Sequence, residues 1–202
     1  MKRYYMFHKP RGCVTARRDA RHKTVMDYFP EEERDILFPV GRLDKDTEGF
    51  LLVTDDGDLC FELLKPEHHV PKKYFFWALG EPDPEKIAEA ESGVSIYRNR
   101  EDVTAPAKIA LLERSTMRGI KDYLSPEDSS VSNRRGDLTV VSGEIVITEG
   151  KKHQVKRTVR YCGARVVYLK RLAIGALSLD EKLRPGEYRS LTDEELILIK
   201  QI

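Results

Sequence analysis

Two apolar runs, Ile36 to Val40 and Phe50 to Val53, are joined by Gly41-Arg42-Leu43-Asp44-Lys45-Asp46-Thr47-Glu48-Gly49, and the second run leads into Asp55-Asp56-Gly57. The pattern reads as strand, polar loop, buried strand, turn. It limits the folds open to the chain, because three acids and two bases must sit between segments that seek burial. Buried charge costs several kcal/mol unless it is paired. From composition alone the loop reads equally as a working site or as a solvated hairpin whose charge serves solubility.

Bulk properties narrow the class. The 202 residues are enough for one sizeable core or two small lobes, and 40% hydrophobic with 34% charged residues describes a soluble globular chain. No window approaches the roughly 18 consecutive apolar residues of a membrane span. Met1 to Phe7 breaks at His8-Lys9 and so is not a signal peptide; the expected location is the cytoplasm. Cys13, Cys60 and Cys162 are odd in number and far apart, and they read as ordinary small residues.

The net charge of +1 hides a segregation. Residues 1–23 hold eight bases against Asp19 alone, and residues 151–171 hold eight bases and no acid. The rest of the chain keeps 19 bases against 33 acids. Such asymmetry suits a protein with one face toward a polyanion and a soluble remainder.

Along the chain, Tyr4 to Phe7 predicts a strand closed by Lys9-Pro10-Arg11-Gly12. Val25 to Phe29 predicts a short helix ended by Pro30, and Asp58 to Leu64 a helix capped by Asp56 or Asp58. Tyr74 to Leu79 predicts a strand covered on both faces. Pro84 to Ser92 predicts a surface helix stopped by Gly93, and Val94 to Ile96 and Ala107 to Leu112 predict strands. Residues 115–137 lose apolar periodicity and read as a long loop or partly ordered polar insertion. Leu138 to Val141 and Glu144 to Thr148, separated by Ser142-Gly143, read as a hairpin. From Lys152 to Cys162 the positions Val155, Val159 and Cys162 keep helical spacing, with Gly163 as stop. Lys152, Lys156 and Arg160 line another face of that helix, where like charges four residues apart repel unless an anion or packing offsets them. RNA phosphate is the economical anion, and a solvated helix face is the alternative. Val166 to Leu169 predicts a strand, and Thr192-Asp193-Glu194-Glu195 is a capping box for a last helix. His68 and His69 are adjacent with no partner at ligand spacing, so no metal site is expected.

Gly41-Arg42-Leu43-Asp44 followed by Thr47, Gly49, an apolar run and an acid-Gly turn resembles the catalytic motif of RNA pseudouridine synthases, in particular the RsuA-like family that acts on ribosomal RNA. Glu149-Gly150, Gln154-Val155-Lys156-Arg157 is similar to the family's second signature, about 105 residues further on. Lys9-Pro10-x-Gly12, Lys72-Lys73-Tyr74 and the ending from Pro185-Gly186-Glu187-Tyr188 onward match as well, in family order. The pair of long blocks is specific, whereas a lone G-R-L-D would be weak. The resemblance implies an α+β fold, with a mixed, largely antiparallel sheet, flanking helices and a central active-site cleft. It implies one catalytic domain over 1–202, in two lobes with a break near 65, without the small S4-type RNA-binding module that precedes it in many relatives.

By the same resemblance Asp44 is the catalytic carboxylate, Tyr74 packs against the target base, and Lys156 lies against Asp44 and keeps it ionised, with Arg42 as a further cation for that purpose. Contacts to RNA fall to Lys9, Arg11, Lys72, Lys152, His153, Gln154, Arg157 and Arg160. For His153 a phosphate or helix-cap role is expected rather than acid catalysis. Converting uridine to pseudouridine breaks the bond from sugar to nitrogen, turns the base and rejoins the sugar through carbon 5. No redox or group donor is needed, so no cofactor is expected. Whether Asp44 acts as nucleophile or base stays open. The expected partner is ribosomal RNA or a ribosomal assembly intermediate, with no membrane and a monomer as the default. The alternatives are a non-catalytic RNA-binding or ribosome-assembly protein on the same scaffold, and a metal-dependent hydrolase using Asp44, Asp46 and Asp55.

Overall fold

In chain order the elements are β1 (Tyr4–Lys9), a 3-10 turn (Val25–Tyr28), α1 (Glu31–Arg34), β2 (Phe38–Pro39), β3 (Glu48–Thr54), α2 (Gly57–Leu64), β4 (Lys72–Leu79) and α3 (Pro84–Ser92). They continue with β5 (Lys108–Thr116), a 3-10 turn (Lys121–Tyr123), β6 (Thr139–Ile147), α4 (Gln154–Tyr161), β7 (Arg165–Ile174), β8 (Leu177–Ser178), β9 (Tyr188–Ser190) and α5 (Asp193–Lys200). The structure is a computed structural model that describes residues 2–97, 102–126, 128–130 and 136–201. It divides into one unit of Met1–Lys72 with Lys170–Ile202 and another of Lys73–Leu169. The sequence reading expects a break near residue 65; the chain crosses between units after Lys72 and returns at Lys170.

In the first unit β1 runs antiparallel to β3, from Tyr4 opposite Thr54 to Lys9 opposite Gly49, and antiparallel to β9 on its other side. Strand β2 adds to β3 antiparallel, while Glu48 and Gly49 of β3 pair in parallel with Lys170 and Arg171 of β7. The sheet is therefore mixed and largely antiparallel. The run Phe50 to Val53 is wholly buried, which explains why it is apolar without alternation. Phe50 and Leu52 join Met6, Leu59, Leu63, Ile174 and Ile199 in one core. Tyr5, Phe7, Phe29 and Tyr188 form an aromatic cluster, with Phe29 and Tyr188 stacked at 4.3 Å. Phe7 and Phe29 are fully buried, and each such side chain contributes about 1.5–3 kcal/mol. The Asp56 carboxylate accepts from the Leu59 amide and caps α2, and Thr192 with Glu195 forms the capping box of α5.

In the second unit β5 lies antiparallel on β6, with a bulge between Leu111 and Arg114, and β6 lies next to β4. Helix α3 has the bounds expected from sequence, with Asp83 accepting from the Glu85 amide and Gly93 at its end.

Five local expectations are corrected. Ser142-Gly143 is no turn: β6 is one strand through both residues, and Gly143 pairs with Leu111. A Cβ on Gly143 would stand 2.5 Å from Phe76 Cζ and 2.8 Å from the Ala110 carbonyl oxygen, so the glycine serves close approach. The stretch taken as a polar insertion opens with the end of β5, and Met117, Ile120 and Leu124 then bury against Trp77, Val140, Val167 and Tyr168. Three apolar residues spaced through polar chain have no single period, which hides them from pattern reading. Residues 127 and 131–135 of that stretch lie outside the described residues. Of the run Ile36 to Val40 only Phe38–Pro39 is strand, and Val94 to Ile96 reduces to one bridge, Ser95 to Val103. Helix α4 begins at Gln154, because His153 takes a left-handed backbone with φ 56°.

Candidate active site

The loop between β2 and β3 is pinned from within the first unit. Lys9 is fully buried, and its ammonium donates to the carbonyls of Pro10 (3.0 Å), Asp44 (3.0 Å) and Thr47 (2.8 Å). Three acceptors match the three donors of an ammonium and offset its loss of water. Burial lowers the Lys9 pKa from its ordinary value, while Cys13, Asp46, Asp44 and Glu48 act in the other direction. The Thr15 hydroxyl donates to the Leu43 carbonyl at 2.7 Å and accepts from the Leu43 amide at 3.1 Å. Gly12 donates from its amide to the Lys45 carbonyl, and Thr47 from its amide to the Asp44 carbonyl. The backbone on both sides of Asp44 is thus fixed, and its side chain is half-buried beside an exposed Arg42.

Gly49 closes the loop for a steric reason. Its φ is +112°, and a Cβ there would stand 2.3 Å from the Arg171 carbonyl oxygen. Arg171 is itself buried and donates from Nε to the Phe50 carbonyl at 2.7 Å. On β1, opposite Phe50, buried His8 touches the Leu183 carbonyl through Nδ1 (2.7 Å) and Glu48 through Nε2 (3.0 Å).

The expected RNA contacts divide. Lys9 and Gln154 are buried and bonded within the protein: Lys9 spends its charge on backbone carbonyls, and Gln154, 3% exposed, accepts from the Lys151 amide and donates to Glu149 at 2.7 Å. Both hold loops in place. Arg11 and Lys72 are half-buried in the first unit. Burial lowers the Lys72 pKa from its ordinary value, and the Arg171 guanidinium adds to that. In the second unit Lys152, His153 and Arg160 are exposed, and Lys156 and Arg157 half-buried, on α4 and the turn before it. His153 stands at the N-cap position, yet its side chain makes no cap hydrogen bond. Of the catalytic candidates, Arg42 and Asp44 belong to the first unit, Tyr74 and Lys156 to the second; Tyr74 is 8% exposed on β4.

Sequence reading missed Thr15, His8 and the buried role of Lys9. Nothing in residue type separates a lysine on a surface from one that ties a loop. It also missed Tyr97 and Asp102, which bind the turn before α4: the Tyr97 hydroxyl donates to the Lys152 carbonyl, and Lys151 pairs with Asp102. Burial raises the thiol pKa of Cys13 and Cys60, and that of Cys162 to about 11, so none is a ready nucleophile at neutral pH. Among the described residues no three His, Cys, Asp or Glu side chains group as a metal site.

The loop that fixes the backbone around Asp44 is followed about a hundred residues later by the basic helix α4. The family model for RNA pseudouridylate synthase matches residues 3–161, and the chain belongs to that family. It is 43% identical over 199 residues to the RNA pseudouridine synthase YtzG of Bacillus subtilis, covering 98% of this chain and 73% of that protein. It is 36% identical over 194 residues to ribosomal small subunit pseudouridine synthase A of Salmonella typhimurium, covering 96% of this chain and 72% of that one. A crystal structure of a pseudouridylate synthase superposes with a TM-score of 0.78 at 32% identity, over 98% of this chain and 74% of that one. The enzyme reading therefore stands over that of a non-catalytic protein on the same scaffold. Among the described residues no helix is long and apolar enough to cross a membrane.

Proposed function

We propose that this enzyme isomerises one specific uridine of ribosomal RNA, in the cytoplasm, with Asp44 as the catalytic carboxylate. The observation that carries the reading is the immobilisation of the Asp44 backbone by Lys9 and Thr15, since a reacting group must be held in place before its substrate arrives. The names of relatives that modify the small ribosomal subunit support the substrate class.

Asp44 acts at the sugar and base of the target, as nucleophile or base, and Lys156 and Arg42 serve the same step as cations. Tyr74 offers the uracil a flat face against which the detached ring turns without a fixed angle. Extruding the target from its stack costs a few kcal/mol, so phosphates on both sides must be held. Arg11, Lys72, Lys152, His153 and Arg160 supply those contacts, and Arg157 contacts the RNA beside them.

The test is release of tritium from ribosomal RNA labelled at carbon 5 of uridine, with wild type and Asp44→Asn compared without added metal. Release by wild type alone is expected. Undiminished release by Asp44→Asn would remove Asp44 from its role. No release from either protein, on free RNA and on immature ribosomal particles, would overturn ribosomal RNA as substrate.

A further inference from the structure

The segment after α3 doubles back on itself. The Thr104 amide donates to the Val94 carbonyl, the Val94 amide donates to the Thr104 hydroxyl, Ser95 bridges Val103, and a Cβ on Gly93 would stand 2.4 Å from the Thr104 carbonyl oxygen. This short ribbon is laced to the turn before α4 by both legs. From one leg, the Tyr97 hydroxyl donates to the Lys152 carbonyl at 2.9 Å. From the other, Asp102 and the Val103 carbonyl accept from the Lys151 ammonium, and the Ala105 amide donates to Glu149 at 2.8 Å. The outcome is a fixed stack, in which the guanidinium carbon of Arg157 lies 4.3 Å from the centre of the Tyr97 ring. Neither side chain is fully buried.

We propose that the Arg157–Tyr97 stack is the platform on which a nucleobase next to the target uridine rests, which makes it a specificity-determining site. The proposal rests on the uridine-isomerase reading and names the RNA contact it needs. When the target base leaves its stack, its neighbour loses a flat partner, and a guanidinium plane backed by an aromatic ring replaces that partner. A phosphate contact gains nothing from an aromatic ring behind the cation, whereas a stacked base does. The ribbon contacts set the ring's position before RNA arrives, so little ordering cost remains at binding. A purine gains most from such a surface, because it has the larger face.

The test uses a fragment of small-subunit ribosomal RNA spanning the uridine that the enzyme converts, held by Asp44→Asn to stop turnover. Each of the two nucleotides on either side of that uridine is replaced in turn by 2-aminopurine or by an abasic site. Stacking should quench 2-aminopurine at one position with the Asp44→Asn protein and with Asp44→Asn carrying Tyr97→Phe, which keeps the ring. Adding Tyr97→Ala or Arg157→Lys should abolish that quench and weaken binding about 5- to 100-fold. An abasic site at the same position should weaken Asp44→Asn similarly and add nothing to the Tyr97→Ala variant. Unchanged quench in Tyr97→Ala, or an equal loss from Tyr97→Ala whether or not the base is present, overturns the platform and leaves Tyr97 a purely structural tie. If wild type isomerises no ribosomal RNA while a Tyr97-dependent quench is found on fragments tiling small-subunit ribosomal RNA, the isomerase reading fails and the stacking site stands.

Discussion

The ammonium of Lys9 is bonded to the main-chain carbonyl of Asp44, the residue that carries the proposed chemistry, at 3.0 Å, with no exposure of the lysine to solvent. A cation that belongs to the basic N-terminal segment by sequence is thus an internal tie. Lys9→Met keeps the length and removes the donors, leaving three carbonyls without that partner. The expected loss is about 2–5 kcal/mol of stability. In protein that still folds, kcat should fall about 100-fold with little change in KM, because the carboxylate is misplaced and the RNA contacts remain. Chemical denaturation together with steady-state kinetics checks both, and a KM effect alone would assign Lys9 to RNA.

Arg160 is exposed on α4, so its charge is available to a polyanion. Arg160→Ala should weaken RNA binding uniformly across sequences and reduce the slope of log K against log salt by about 1. Titrations at several salt concentrations measure it. An unchanged slope would mean that Arg160 touches no phosphate.

The contrast between Lys9 and Arg160 shows how far the sequence could be read. Elements with strong local signals were legible: α3 between Asp83 and Gly93, the capping box at Thr192, the buried run Phe50 to Val53. So was the loop around Asp44, through its residue pattern. What was not legible depends on contacts distant in sequence. Lys9 reaches Thr47 across 38 residues and Tyr97 reaches Lys152 across 55, and no local period records either. Met117, Ile120 and Leu124 look like loop because their apolar partners, Trp77 and Tyr168 among them, are remote in sequence.

Gly143 misled for a related reason, since Ser-Gly between apolar runs reads as a turn until the opposing ring is known. Gly143→Ala would put a methyl 2.5 Å from Phe76 Cζ and should cost about 1–3 kcal/mol. Phe76→Leu, which removes the ring edge, should recover part of that loss in the double variant, although the Ala110 carbonyl oxygen at 2.8 Å still crowds the site. A thermodynamic cycle from denaturation curves measures the coupling. Strict additivity would place the strain elsewhere.

The C-terminal end of the first unit is tied by Arg189, whose guanidinium donates to both oxygens of Glu195 at 2.7 Å and to Asp180 at 2.8 Å. The Arg189 hydrogen bonds hold the Glu195 carboxyl below its ordinary value of 4.5, against a smaller opposing effect of burial. A carboxyl with a depressed folded pKa binds fewer protons folded than unfolded. Its contribution is therefore complete above the unfolded value and is lost as pH falls through the folded one. Glu195→Gln keeps a capping oxygen for the Thr192 amide but removes the charge. It should lower stability by on the order of 1 kcal/mol at pH 7, and the gap to wild type should close as pH drops below 4.5. Thermal melts from pH 7 down to about 3 would read this directly. A gap that stays constant across that range would mean that the Glu195 charge is not what holds Arg189.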